Sequence, residues 1–128
     1  MIKDIPDWTT AITTAKEELY PDYPGLQLKS FQEASKVLGK ALELLLISKN
    51  LKYGKGNILN SSDFGIEPKK GVALRMNDKF ERLKNGLQGV DLGKEGFIDS
   101  FGDLVGYNAI GLMLELGWYE LPIEEDKE

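Results

Sequence analysis

Apolar side chains recur three and four residues apart in four stretches of the chain, and no stretch alternates apolar and polar residues over the length of a strand. Residues Asp7 to Glu18 predict a short helix with Trp8, Ile12, Ala15 and Leu19 on one side. Tyr20 to Gly25 holds two prolines and a glycine, a turn-rich linker. Ser30 followed by Glu33 has the spacing of a capping box. Phe31, Ala34, Val37, Leu38, Ala41, Leu42, Leu45 and Leu46 then follow at helical spacing. This second helix is apolar on most sides near its end, as expected of a central element, and it stops around Asn50 to Gly54.

Residues Lys52 to Lys70 read as a long loop anchored by Tyr53, Ile58, Leu59 and Phe64, and loops of that length tend to carry function. A third helix is expected from about Lys69 to Leu87, with Met76, Phe80, Leu83 and Leu87 as its buried stripe. A fourth is expected from about Lys94 to Leu116, with an apolar arc of Phe97, Ile98, Phe101, Leu104, Val105, Leu112 and Leu116. Gly102 and Gly106 sit one turn apart beside that arc, where glycine permits close approach of a backbone or ligand. Trp118 and Tyr119 are expected to pack back on the body, and Trp8, Trp118 and Tyr119 are read as core or interface residues. The predicted class is all-α: four main helices, the last two antiparallel. One domain spans residues 1–128, with an N-terminal helix and linker over 1–29, a helical core over 30–119 and an acidic tail over 120–128, where disorder is expected.

Composition narrows the chemistry. The chain has 128 residues, enough for one real core, and a net charge of −5 that argues against a nucleic-acid-binding surface. It contains no cysteine and no histidine, which removes disulfides, thiolate nucleophiles, zinc–sulfur sites and the commonest general base. A metal site would have to use oxygen ligands, which suits Mg²⁺ or Mn²⁺. The N-terminal residues lack the features of a secretory signal, and the longest apolar run, Leu44 to Ile47, is far short of a membrane span, so a soluble cytoplasmic protein is expected.

The acids and bases of the last two helices interleave. Glu95, Asp99 and Asp103 are spaced i, i+4, i+8 in one row, although like charges at i, i+4 destabilise an isolated helix by about 0.2–0.5 kcal/mol per pair. Asp78 and Glu81 share a face of the third helix, and antiparallel packing of the two helices would let the acidic faces meet around a divalent cation. The alternative is a solvated face with local pairs such as Asp78–Arg82 and Glu81–Lys84 or Glu81–Asn85. Arg75, Lys79 and Arg82 are the residue types that hold phosphate oxygens, or else they pair within their own helix. Lys52 to Asn57 offers two lysines, two glycines and a tyrosine to a phosphate or a base, though without the pattern of a P-loop, and a helix C-cap at Gly54 with a solvated turn is the plainer alternative.

Three elements together resemble a known family: Lys52-Tyr53-Gly54-x-x-Asn57, then Arg75-x-x-Asp78-Lys79-x-x-Arg82-Leu83, then Glu95-x-x-x-Asp99-x-x-x-Asp103-Leu104-x-x-Tyr107. Over roughly Leu42 to Leu116 the chain resembles the phage and bacterial nucleotide-modification-associated domain, which is grouped with the MazG-like all-α nucleoside triphosphate pyrophosphohydrolases. The resemblance implies a four-helix MazG-like bundle completed by oligomerisation, as a homodimer or homotetramer. It implies Mg²⁺-dependent cleavage between the α and β phosphates, to a monophosphate and pyrophosphate, in phage or bacterial nucleotide metabolism. Carried onto this sequence, Asp78, Glu81, Asp99 and Asp103 would ligate metal. Glu95, Asp99 and Asp103 would serve catalysis, with Glu95 as a carboxylate that activates water. Arg75, Lys79, Arg82 and Lys55 would hold phosphate, and Tyr53 and Asn57 base or sugar. The broader superfamily carries Glu-x-x-Glu and Glu-x-x-Asp on successive helices. Asp78-x-x-Glu81 fits the first, whereas Ser100 stands three before Asp103 and the acid is shifted to Asp99. A module of the same fold that binds a nucleotide or signalling dinucleotide without cleaving it, and a small helical interaction protein, stay open as alternatives.

Overall fold

The structure is a computed structural model that describes residues 4–22, 25 and 27–124. The described residues are all-helical, without strands. Helices α1 (Trp8–Leu19), α2 (Phe31–Tyr53), α4 (Pro68–Leu87) and α5 (Gly93–Leu116) are the main elements, and the short α3 (Gly56–Leu59) continues into a 3₁₀ turn at Asn60–Phe64. No helix among the described residues is long and apolar enough to cross a membrane.

The helix starts follow from local chemistry. Asp7, in extended backbone, caps α1 by accepting the Thr10 N–H at 2.8 Å. Ser30 caps α2 by accepting the Glu33 N–H at 3.0 Å, and its hydroxyl donates to Glu33 Oε1 at 3.2 Å, so the Ser–Glu pair closes side chain to side chain. Gly54, at φ +75, ends α2 in a conformation that a β-carbon disfavours. Pro68 at the first position of α4 costs no hydrogen bond, because that N–H would have no helical partner.

The expected loop of 52–70 is instead mostly short helical turns. Ser61 donates to the carbonyls of Ile58, at 3.2 Å, and Ile66, at 2.9 Å, and Ser62 donates to that of Leu59, at 3.1 Å. Hydroxyls bonding to backbone two to five residues away make compact turns without long-range pairing. Of the four expected anchors only Ile58 is buried; Leu59 is half-buried, while Tyr53 and Phe64 are exposed.

Two antiparallel hairpins, α1–α2 and α4–α5, carry two hydrophobic clusters. The first joins Ile5, Trp8, Ala11 and Ala15 to Val37, Ala41 and Leu45. The second joins Ile58, Val72 and Tyr119, with Met76, Tyr107, Ile110, Met113 and Leu114 packed around them. Fully burying a side chain such as Val37, Leu45 or Ile58 contributes roughly 1.5–3 kcal/mol. Ser48 ties the N-terminal segment to α2, accepting the Ile5 N–H at 2.8 Å from inside the core.

The buried faces of α4 and α5 differ from the expected stripes. Val72 and Leu83 are buried on α4 while Phe80 and Leu87 are exposed; on α5 it is Gly96, Ser100 and Gly102 that are buried, while Phe101, Val105, Leu112 and Leu116 are exposed. Close approach explains this: α5 turns its small residues to the body. A β-carbon on Gly102 would collide with the Trp8 indole, and Ser100, fully buried, folds its hydroxyl back onto the Gly96 carbonyl at 2.8 Å. Trp8 thus wedges the α1–α2 hairpin against α5. Similarly, Phe31, Leu38 and Leu19 are exposed although their helical spacing fits a core stripe.

Candidate functional site

Beyond the Trp8 wedge, toward the C-terminal end of α5, the two hairpins separate and leave a cleft of about 710 Å³. Its floor on α5 is Asp103, Gly106, Tyr107, Ile110 and Met113, which span ten helical rises and therefore about 15 Å of helix. One wall is α2, through Leu42, Leu46, Lys49, Asn50 and Tyr53; the other is α4, through Arg75 and Lys79. Lys55, Asn57 and Ile58 close it from α3 and its approach, and the segment after α5 closes it with Trp118, Tyr119 and Leu121.

Five of the six residues expected to hold substrate line this one cleft: Tyr53, Lys55, Asn57, Arg75 and Lys79. They come from α2, the 52–70 connection and α4, which the sequence keeps apart. Lys79 Nζ sits 3.0 Å from Asp103 Oδ2, with both side chains more than two-thirds buried. Arg75 Nη2 donates to the Asn57 carbonyl at 2.7 Å, so the guanidinium that faces the cleft also holds α3 against α4. Lys55 Nζ lies 5.4 Å from the centre of the Tyr119 ring, within cation–π range, and donates to Asn50 Oδ1 at 3.4 Å. Burial pushes the Tyr119 phenol above its ordinary pKa, and the Arg75 charge works in the opposite direction. Arg82, the sixth, is exposed and stands over Gly96 of α5, outside the cleft.

The acids are not gathered. Among the described residues no group of three acidic side chains is placed to hold one metal ion. The register of α4 against α5 is the reason: it sets Lys79, not Asp78, across from Asp103. Glu81 is exposed on the side of α4 away from the buried Leu83; it pairs with Lys84 at 3.0 Å, one of the local pairs the sequence left open. Asp78 is exposed as well. On α5 an i, i+4 row drifts about 40° around the helix at each step. Glu95 is accordingly exposed, Asp99 half-buried, and Asp103 alone of the row lines the cleft. Ser100 has no space for a carboxylate: a charge there would be fully buried without a partner. Among the described residues, therefore, no three of Asp78, Glu81, Asp99 and Asp103 come together within one chain.

Lys49 and Asn50 line the cleft although the sequence does not mark them as site residues. Leu42, Leu46, Lys49, Asn50 and Tyr53 fall at i, i+4, i+7, i+8 and i+11, one face of α2, and that spacing alone groups the two polar residues with Tyr53. The positions of Trp118 and Tyr119 depend on where α5 ends and how the chain turns, which no periodicity encodes. Against family models, curated proteins and solved structures, the chain has no match.

Proposed function

We propose that the chain binds a nucleoside triphosphate, or a related nucleotide, in the cleft between α2, α4 and α5. The observation that carries this is the convergence of Arg75, Lys79 and Lys55 with Tyr53 and Asn57 on one concave site whose remaining lining is mostly apolar. Guanidinium forks and ammonium groups match phosphate oxygens, and apolar and aromatic walls bury a planar ring. Lys79 supports the reading further. It neutralises Asp103 in the free protein, and an incoming polyphosphate offers it a stronger partner. Transfer of Lys79 to phosphate would free Asp103 at the same moment.

The catalytic form of this proposal is the activity that the sequence resemblance implies, Mg²⁺-dependent hydrolysis between the α and β phosphates in the cytoplasm. It needs carboxylates brought to the cleft that one chain does not gather there. The large apolar side chains exposed on α5 favour a second copy as the partner in such an assembly. The non-catalytic form needs only the cleft.

Pyrophosphate release from a panel of deoxynucleoside and nucleoside triphosphates, with and without Mg²⁺, separates the two forms. Turnover that requires Mg²⁺ and falls at least about 100-fold in Asp103→Asn supports hydrolysis. Binding without turnover leaves the binding module. Neither binding nor turnover removes both.

A further inference from the structure

The cleft wall that follows α5 is built on two turns. Gly117, at φ +76, ends α5, and the Trp118 N–H donates to the Met113 carbonyl at 2.8 Å, so the chain reverses into a fixed turn. The Leu121 N–H donates to the Trp118 carbonyl at 3.1 Å and closes a second turn. Tyr119 anchors the segment: it is 8% exposed, packed with Ile58 and Val72, with the Lys55 ammonium over its ring. Trp118 beside it lines the cleft yet is 53% exposed. The other tryptophan, Trp8, also lines the cleft but is only 6% exposed and packed against Gly102, so it offers little open ring surface. An indole held on an anchored turn, half open to a cleft, is a preformed stacking face.

The opposite end of the cleft is ionic. Lys79 and Asp103 lie level with the start of the α5 floor and Trp118 just past its end, a floor whose helix rises about 15 Å, while Lys55, over the Tyr119 ring, adds a positive charge near the aromatic end. A ligand that satisfies both ends is anionic at one and a flat ring at the other.

We propose that Trp118 is the base-stacking residue of the cleft and that the turn it stands on sets the preference for nucleotides over bare polyphosphate. This rests on the nucleotide reading above and adds the orientation of the ligand: phosphates toward Arg75 and Lys79, base against Trp118.

The test measures affinity by calorimetry, with Mg²⁺, for α,β-methylene deoxynucleoside triphosphates, which cannot be cleaved, and for inorganic tripolyphosphate. The full chain is compared with Trp118→Ala and Trp118→Phe. Trp118→Ala is expected to weaken the nucleotide analogues by about 5- to 150-fold, the range for loss of one base–aromatic stack, and to leave tripolyphosphate unchanged. Trp118→Phe keeps a ring and should retain most of the affinity. Circular dichroism checks that the variants fold. Should the alanine variant not fold, indole fluorescence of the wild type against Trp118→Phe decides, with quenching by the analogues expected in the wild type and lost in Trp118→Phe, and none from tripolyphosphate in either. Equal loss of both ligands in Trp118→Ala, no loss of either, or equal wild-type affinity for both overturns the assignment while nucleotide binding stands. A wild type that binds neither overturns the nucleotide reading, and this inference with it.

Discussion

Two glycines one turn apart on α5 show how far a single residue's meaning depends on what lies beside it. Both cost helix stability in isolation, by about 0.8–1 kcal/mol relative to alanine. A β-carbon on Gly102 meets the Trp8 indole, whereas one on Gly106 meets nothing within 4 Å. Gly102→Ala must therefore displace the wedge that joins the two hairpins, and should lower stability by about 1–2 kcal/mol even after the helix gain. Gly106→Ala should raise stability by about 0.5–1 kcal/mol. Urea denaturation of both variants checks the opposite signs. The sequence marks both positions as places of close approach, but only the structure shows that a tryptophan has taken one and that the other opens into a cleft.

Helix boundaries are where local chemistry is most complete. The Thr10 N–H bond to Asp7 holds that carboxyl below its ordinary value of 3.8. The cap therefore contributes its full stability at any pH above the ordinary carboxylate range. That contribution is lost as pH falls through the lowered value, once the folded form too must take up the proton. Asp7→Ala should lower stability by about 1 kcal/mol at pH 7 and flatten the decline of stability below pH ~4, both read from thermal melts across pH. Asp7, which the spacing places inside the first helix, caps it instead, but the Ser30–Glu33 cap and the approximate spans of the four long helices were legible because Ser, Glu and Gly act within one turn of the chain. The connection of 52–70 was not. Its turns rest on Ser61, Ser62 and one buried Ile58, too few positions for any period to register.

For the molecule as a whole, the unsettled matter is the far side of α5. Phe101, Val105, Leu112 and Leu116 make one exposed row, nearly half a turn round the helix from the cleft residues Asp103 and Ile110. A monomer rarely leaves a contiguous apolar stripe uncovered. If a second copy covers it, as the proposed assembly requires, sedimentation equilibrium of the full chain should give a dimer or larger. Phe101→Glu combined with Leu112→Glu should then give a folded monomer. A monomeric wild type at about 100 μM would remove the assembly, and with it the means by which one chain's carboxylates could be supplemented.

Helical periodicity, capping residues and the lack of alternation determined an all-α chain and placed its long helices, because each of these acts over a few neighbouring residues. Side-chain chemistry and the family resemblance pointed to Arg75, Lys79, Lys55, Tyr53 and Asn57 as substrate-type residues, but their meeting in one cleft was decided by how the two hairpins pack. The separation of the acids was decided there too. Whether Asp78 or Lys79 stands across from Asp103 is a matter of one residue in the register of α4 on α5. That register is set by Val72 and Leu83, and by the small residues that let α5 come close.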